Sequence, residues 1–168
     1  MIYLQATEKV RDFLGIGKEQ LDAAAAEQSL LGNWAVNIVP IGARSAFLFV
    51  SSRSLLSFPI MIGARRPAVG DMTAFLSHGV RQLIHGIEAD RMKSTHLLES
   101  LNQVVACKLT DKSLAATVNA IAADYAHRAE SGASVGQIVS SVNALPRPAL
   151  GYKSPMEVAG ELLGSNKA

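Results

Sequence analysis

The spacing of apolar positions changes period along this chain, and each change marks out an element. "IYLQ" near the start is a short strand candidate that runs directly into Thr7. The Thr7 hydroxyl can accept a hydrogen bond from a free first-turn amide, so a helix is expected to begin there. Val10, Phe13 and Leu14 give that helix one apolar stripe, and Gly15 with Gly17 ends it. "KEQLDAAAAEQSLLG" reads as a second short helix or helical linker that stops near Gly32.

Strand-like patterning then takes over. "WAVNIVPI" alternates weakly, "SAFLFVS" is apolar on both faces, and "SLLSFPIMI" follows a polar break. The breaks "GAR" and "SSRS" are short enough for hairpins, so the three runs predict an antiparallel meander. The run that is apolar on both faces belongs in the middle. Pro40 and Pro59 cannot donate to a ladder, which fits the outer runs to edges or bulges. Alternation turns Trp34 to the core and Asn37 away from it.

From Asp71 onward the spacing is mostly helical. Phe75, Leu76, Val80, Leu83, Ile84 and Ile87 form one stripe, and Met92, Leu97, Leu98 and Leu101 the next. "VVACKLT" interrupts as a strand, with Val105, Cys107 and Leu109 on one face and Ala106, Lys108 and Thr110 on the other. Leu114, Val118, Ile121 and Tyr125 then stripe a longer helix, and Ser134 with Gln137 opens another through a capping box. The fold class this predicts is α+β: a small antiparallel sheet, a three-strand meander plus one or two short strands, covered by helices. A single domain is expected over residues 1–168, with residues 132–168 as a C-terminal helical extension packing on the domain or on a partner chain.

Composition narrows the picture. With 49% hydrophobic and 18% charged residues the chain can bury a sizeable core, which excludes disorder. A net charge of +2 supplies no overall field for nucleic acid. The single Cys107 excludes an internal disulfide framework and a cysteine zinc site, and its apolar neighbours make it an inert core thiol. The start has no basic leader before an apolar run, and the most apolar stretch is broken by "SSRS" and Pro59. A cytoplasmic protein with no membrane partner is expected.

"LPRPALGYKSPMEV", residues 145–158, resembles the string that closes the catalytic domain of integrase-type transposases. Those enzymes gather metal ions on carboxylates carried by or beside strands. No strand candidate here contains an aspartate, and Asp71, Asp90, Asp111 and Asp124 fall at or inside helices. Helix entry accounts for the string: Ser154 caps, Pro155 suits the first position, and Glu157 completes a capping box.

A second resemblance covers more of the chain. "QATEK" after the first strand, the "NWAVNI…ARSAFLFVS" block and "KLTDKSLAATVN" resemble an uncharacterised bacterial family, the domain of unknown function DUF6933. In its pattern a strand runs into Thr, an acid, a base, and Ser or Thr, with a Met-Asn pair further on. Thr110, Asp111, Lys112, Ser113, Val118 and Asn119 take those places, with Lys112 where arginine is usual and Val118 where methionine is usual. The resemblance spans roughly residues 1–125. It implies a bacterial cytoplasmic accessory protein and brings no activity, cofactor or catalytic residue.

Candidate chemistry concentrates at the strand-to-helix junction formed by Lys108, Thr110, Lys112, Ser113 and Asn119. A helix N-terminus offers free amides and partial positive charge, which suits a phosphorylated compound. Against this, Thr110 as N-cap and Asp111 as first-turn acid would satisfy the same amides. Arg44, Arg53, Arg65 and Arg66 are a second candidate, a basic sheet end for contacts to a nucleic-acid backbone. His78 and His85 stand seven apart with Gln82 between them, outside the spacings metal sites on one helix prefer.

No metal set, activated nucleophile, phosphate loop or cofactor signature is present in the sequence. The leading expectation is therefore a non-enzymatic macromolecule-binding or accessory protein, with a protein partner or a second copy of itself. Two alternatives stand beside it. One is a small enzyme or sensor that binds a phosphorylated compound at Lys108–Ser113, with Arg44 as a second anion contact. The other is a protein that holds a nucleic-acid backbone through the four arginines.

Overall fold

A computed structural model describes residues 1–17, 27 and 29–164. The helix expected over residues 18–32 lies largely outside them. The strands are β1 (Ile2–Ala6), β2 (Trp34–Ile41), β3 (Arg44–Ser51), β4 (Ser57–Met61) and β5 (Val104–Lys108), joined in one sheet of order β4-β3-β2-β1-β5. The helices are α1 (Glu8–Leu14), α2 (Asp71–Ile84), α3 (Arg91–Ser100), α4 (Lys112–Glu130), α5 (Val135–Asn143) and α6 (Pro155–Leu162).

The meander forms as the pattern predicts. β3 pairs antiparallel with β2 and with β4, and its residues Ala46–Ser51 are all buried. Both prolines sit where a missing donor costs nothing. Pro59 is on the edge strand β4, and Pro40 lies in the part of β2 beyond the reach of β1, which pairs only with Trp34–Val36. The two short strands join in parallel: β1 runs alongside β2 on one side and β5 on the other. The fold is α+β with a mostly antiparallel sheet.

Alternation of the strands splits the interior into two cores. On one face Leu4, Trp34, Phe47, Phe49 and Phe58 pack against Val10 of α1, Met72, Leu76 and Val80 of α2, Leu97 of α3 and Ala159 of α6. On the other, Val39, Leu48 and Val50 pack against Val118, Ile121 and Tyr125 of α4 and Ile138 and Val142 of α5. The C-terminal segment thus contributes α5 to one core and α6 to the other. Trp34 is fully buried, and Asn37 on the opposite face accepts from the Thr7 hydroxyl at 3.1 Å.

The caps explain where helices start. Thr7 accepts from the Val10 amide, and Gly15 closes α1 in the left-handed region at φ 68°. Ser134 with Gln137 and Ser154 with Glu157 complete reciprocal capping boxes. The Glu157 carboxyl is held below the usual carboxylate range, first by the Ser154 backbone N–H and then by its hydroxyl. "PRPALG" is a connector: Pro148–Leu150 make a single 3-10 turn, and the Arg147 backbone ties it to Leu150, Tyr152 and Lys153.

Three expectations are corrected. Asp111, not Thr110, caps α4: its carboxylate accepts from the Leu114 amide at 3.0 Å and the helix begins at Lys112. Met92 is 82% exposed and off the α3 stripe, because it stands five positions before Leu97 and is turned well away from that face. "SLL" precedes β4 and is not strand: Ser54 ends the turn after β3, and β4 begins only at Ser57. The Ser51 hydroxyl accepts from the Ser54 amide and hydroxyl and donates to the Leu31 carbonyl. Leu55 there takes φ 58° with its side chain buried in the second core.

Candidate functional site

A concavity lies along the outer edge of β4. It is a groove of about 430 Å³ walled by Phe58, Pro59 and Ile60 of the strand, by α2 and by α5, with Met156 of α6 at one end. Its size falls within the ~300–1,000 Å³ of pockets that enclose ligands. The walls are mostly apolar. Polar character comes from His78 and Gln82 on α2 and from Ser140 and Asn143 on α5.

The ladder decides what the strand offers to this groove. Antiparallel pairing sends the peptide groups of alternate residues to opposite sides. Leu56 and Ile62 bond to β3 partners, so Ser57, Pro59 and Met61 direct their peptide groups outward. Ser57 is already matched: its N–H donates to Asn143 Oδ1 at 2.9 Å, and Asn143 Nδ2 donates to its carbonyl at 2.8 Å. The Asn143 amide thereby stands in for the peptide of a neighbouring strand. Pro59 has no N–H, so only its carbonyl faces outward.

Behind Asn143 the polar groups continue into the core. The Ser57 hydroxyl lies 3.0 Å from the Tyr125 hydroxyl and 3.3 Å from Asn143 Oδ1. Burial pushes the Tyr125 phenol well above its ordinary range, opposed by the bond to Ser57 and by the charge of Arg147. Arg147 bonds Asp124 at 2.7 Å with its side chain only 12% exposed. These groups anchor α4, α5 and the "PRP" connector to the strand from which the groove is built.

A glycine lets one helix wall approach closely. Gly79 of α2 meets the Phe58 ring face on, since a Cβ there would lie 1.9 Å from Phe58 Cε2. That ring stacks on Phe49 at 5.1 Å and tilts against Trp34 at 5.7 Å. Gly136, at the α5 rim, has open space around it.

The residues singled out in the sequence are dispersed. Lys108 ends β5, and Thr110, Lys112, Ser113 and Asn119 are all exposed beyond it. Lys112 and Asn119 share one face of α4, but the Asp111 carboxylate occupies the helix N-terminus where an anion would lie. The four arginines do not meet at one end. Arg44 opens β3 and Arg53 follows its close, so the strand, about 23 Å at ~3.3 Å per residue, separates them.

The other two arginines have local partners. Arg66 lies 5.3 Å over the Phe13 ring and donates from Nε to the Phe13 carbonyl at 2.9 Å, which pins the loop before α2 onto α1. Arg65 reaches Asp71 at 3.8 Å from a well-exposed position, an interaction of little worth. Cys107 is buried beside Leu109, which packs on the second core. His78 lines the groove, whereas His85 follows the end of α2 in an exposed position.

The fold is an α+β domain with helices on both faces of its sheet and a groove along one edge. Among the described residues no helix is long and apolar enough to cross a membrane. Residues 3–158 match the family model described as a domain of unknown function, DUF6933. The chain belongs to that family. It matches no curated protein and no solved structure.

Proposed function

We propose that this chain is a non-enzymatic binding protein that takes a short apolar segment of a protein partner into the β4 groove. The observation that carries this is the groove itself, with apolar walls beside a strand edge that cannot run a continuous ladder. Pro59 withholds a donor and Asn143 already fills the Ser57 position. Recognition therefore falls to side chains inserted between α2 and α5, with the Pro59 carbonyl, Gln82 and Ser140 left to orient the segment. A cytoplasmic site of action belongs to the same reading, because the lone thiol Cys107 suits a reducing compartment.

The test is a peptide-display selection against the full chain, followed by calorimetric titration of the selected sequences. Apolar peptides should emerge, and Ser140→Glu or Gly136→Leu at the rim should weaken them by about tenfold or more. Met92→Glu, on exposed α3, should leave the affinity unchanged. Equal binding to wild type and to both rim variants would overturn the proposal, as would a selection that yields no binder.

A further inference from the structure

The opposite edge of the sheet is built differently. β5 pairs with β1 alone, in parallel. The Ile2 amide donates to the Gln103 carbonyl and the Leu109 amide to the Ala6 carbonyl. These bonds fix the phase of the ladder: residues 103, 105, 107 and 109 face β1, so Val104, Ala106 and Lys108 direct their peptide groups outward. Among the described residues none of these N–H and C=O groups has a protein partner. Where β4 carries a proline and an asparagine cap, β5 carries neither.

We infer that β5 pairs antiparallel with β5 of a second copy, about a two-fold axis through Ala106, to make one continuous sheet. The choice of a second copy rests on how this edge complements itself. Centred on Ala106, the register sets Ala106 against Ala106, and Val104 of each copy against Lys108 of the other. Every outward N–H then meets an outward C=O, which a register shifted along the strand does not achieve.

Side chains agree with that register. The two central alanines leave room for close approach. Each Lys108 lies against a valine with its aliphatic stem, and the two Lys108 backbone positions stand about 13 Å apart along the strands at ~3.3 Å per residue, beyond the ~8 Å Debye length of physiological salt. Lys108 in this setting limits growth to one added strand pair, since other registers bring the two lysines closer together or leave ladder groups unpaired.

Sedimentation equilibrium of the full chain over a wide concentration range tests this directly. A monomer–dimer equilibrium is expected for the wild type. Ala106→Pro should abolish it with the far-ultraviolet dichroism unchanged, because an outward-facing N–H is the one a strand can lose. Native hydrogen exchange reads the same edge without a substitution. The Val104, Ala106 and Lys108 amides should exchange more slowly as protein concentration rises. A wild type that stays monomeric throughout, a folded Ala106→Pro that still dimerises, or exchange at these three amides that is independent of concentration would each overturn the inference.

Discussion

Gly79→Ala is the substitution that probes the groove wall most sharply. In an ordinary exposed helix interior this change is favourable by ~1 kcal/mol, because alanine loses less backbone entropy than glycine. Here the new Cβ would lie 1.9 Å from Phe58 Cε2 and 2.3 Å from both Cδ2 and Cζ. Ordinary contact starts near 3.4 Å, so ring and helix must separate by about 1.5 Å. Phe58 has little room to retreat, being stacked on Phe49 with an interplanar angle of 14° and held by Trp34 on another side.

Overpacking of a filled core costs up to ~3 kcal/mol. Set against the propensity gain, the net expectation is a loss of about 2 kcal/mol, or roughly 4–8 °C in Tm for a chain of this length. Urea unfolding of wild type, Gly79→Ala, Phe58→Leu and the double variant measures it. The pair should couple, with the double variant less destabilised than the sum of the two singles. Gly136→Ala serves as the control: it meets nothing within 4 Å and should be neutral or gain a few tenths of a kcal/mol. A Gly79→Ala protein as stable as wild type would refute the close packing of α2 on β4.

Two further predictions concern the polar groups behind the groove. Burial raises the Tyr125 phenol above its unfolded value, so the folded state keeps this proton longer. Its contribution is complete below the ordinary tyrosine value of about 10 and is lost as pH rises beyond it. Tyr125→Phe should cost ~1 kcal/mol at neutral pH and flatten the alkaline fall in urea midpoint; an unchanged alkaline slope would contradict the assignment. Among the described residues Arg147 keeps Nε and Nη2 buried without a hydrogen-bond partner and relies on Asp124 at 2.7 Å. Asp124→Asn should therefore destabilise by about 2 kcal/mol, more than Arg147→Met, because it leaves a largely buried charge uncompensated. The reverse ranking in urea would contradict that reading.

The meander was legible in the sequence because its signals are local. Two prolines, two short polar breaks and one run apolar on both faces fix the order of β2, β3 and β4 without knowledge of the rest. Helix starts were legible for the same reason, since Ser134, Ser154 and Thr7 act within one turn of themselves. The parallel placement of β1 between β2 and β5 has no such local mark. It joins residues about a hundred positions apart, and the hydrophobic pattern of a short strand does not name its neighbours.

The groove escaped for a related reason. Its walls come from residues 58–60, 78–86 and 135–143, which only the tertiary fold brings together. One signal was present: Gly79 inside an otherwise strong helical stripe, where a glycine costs stability unless something packs against it. Of the two histidines seven apart, a spacing metal sites on one helix do not prefer, His78 lines the groove with Gln82 and His85 stays outside it. The Lys108–Ser113 junction carries residue types that suit anions, and there the α4 N-terminus is capped by the Asp111 carboxylate.

Backbone and methyl chemical-shift mapping of the full chain with a selected apolar peptide tests the central claim most directly. Saturable shifts are predicted at Ile60, Leu83, Val139 and Met156 around the β4 groove, with Thr110–Asn119 and Arg44, Arg53, Arg65 and Arg66 unmoved. Shifts confined to that junction or to those arginines, with the groove silent, would contradict the account.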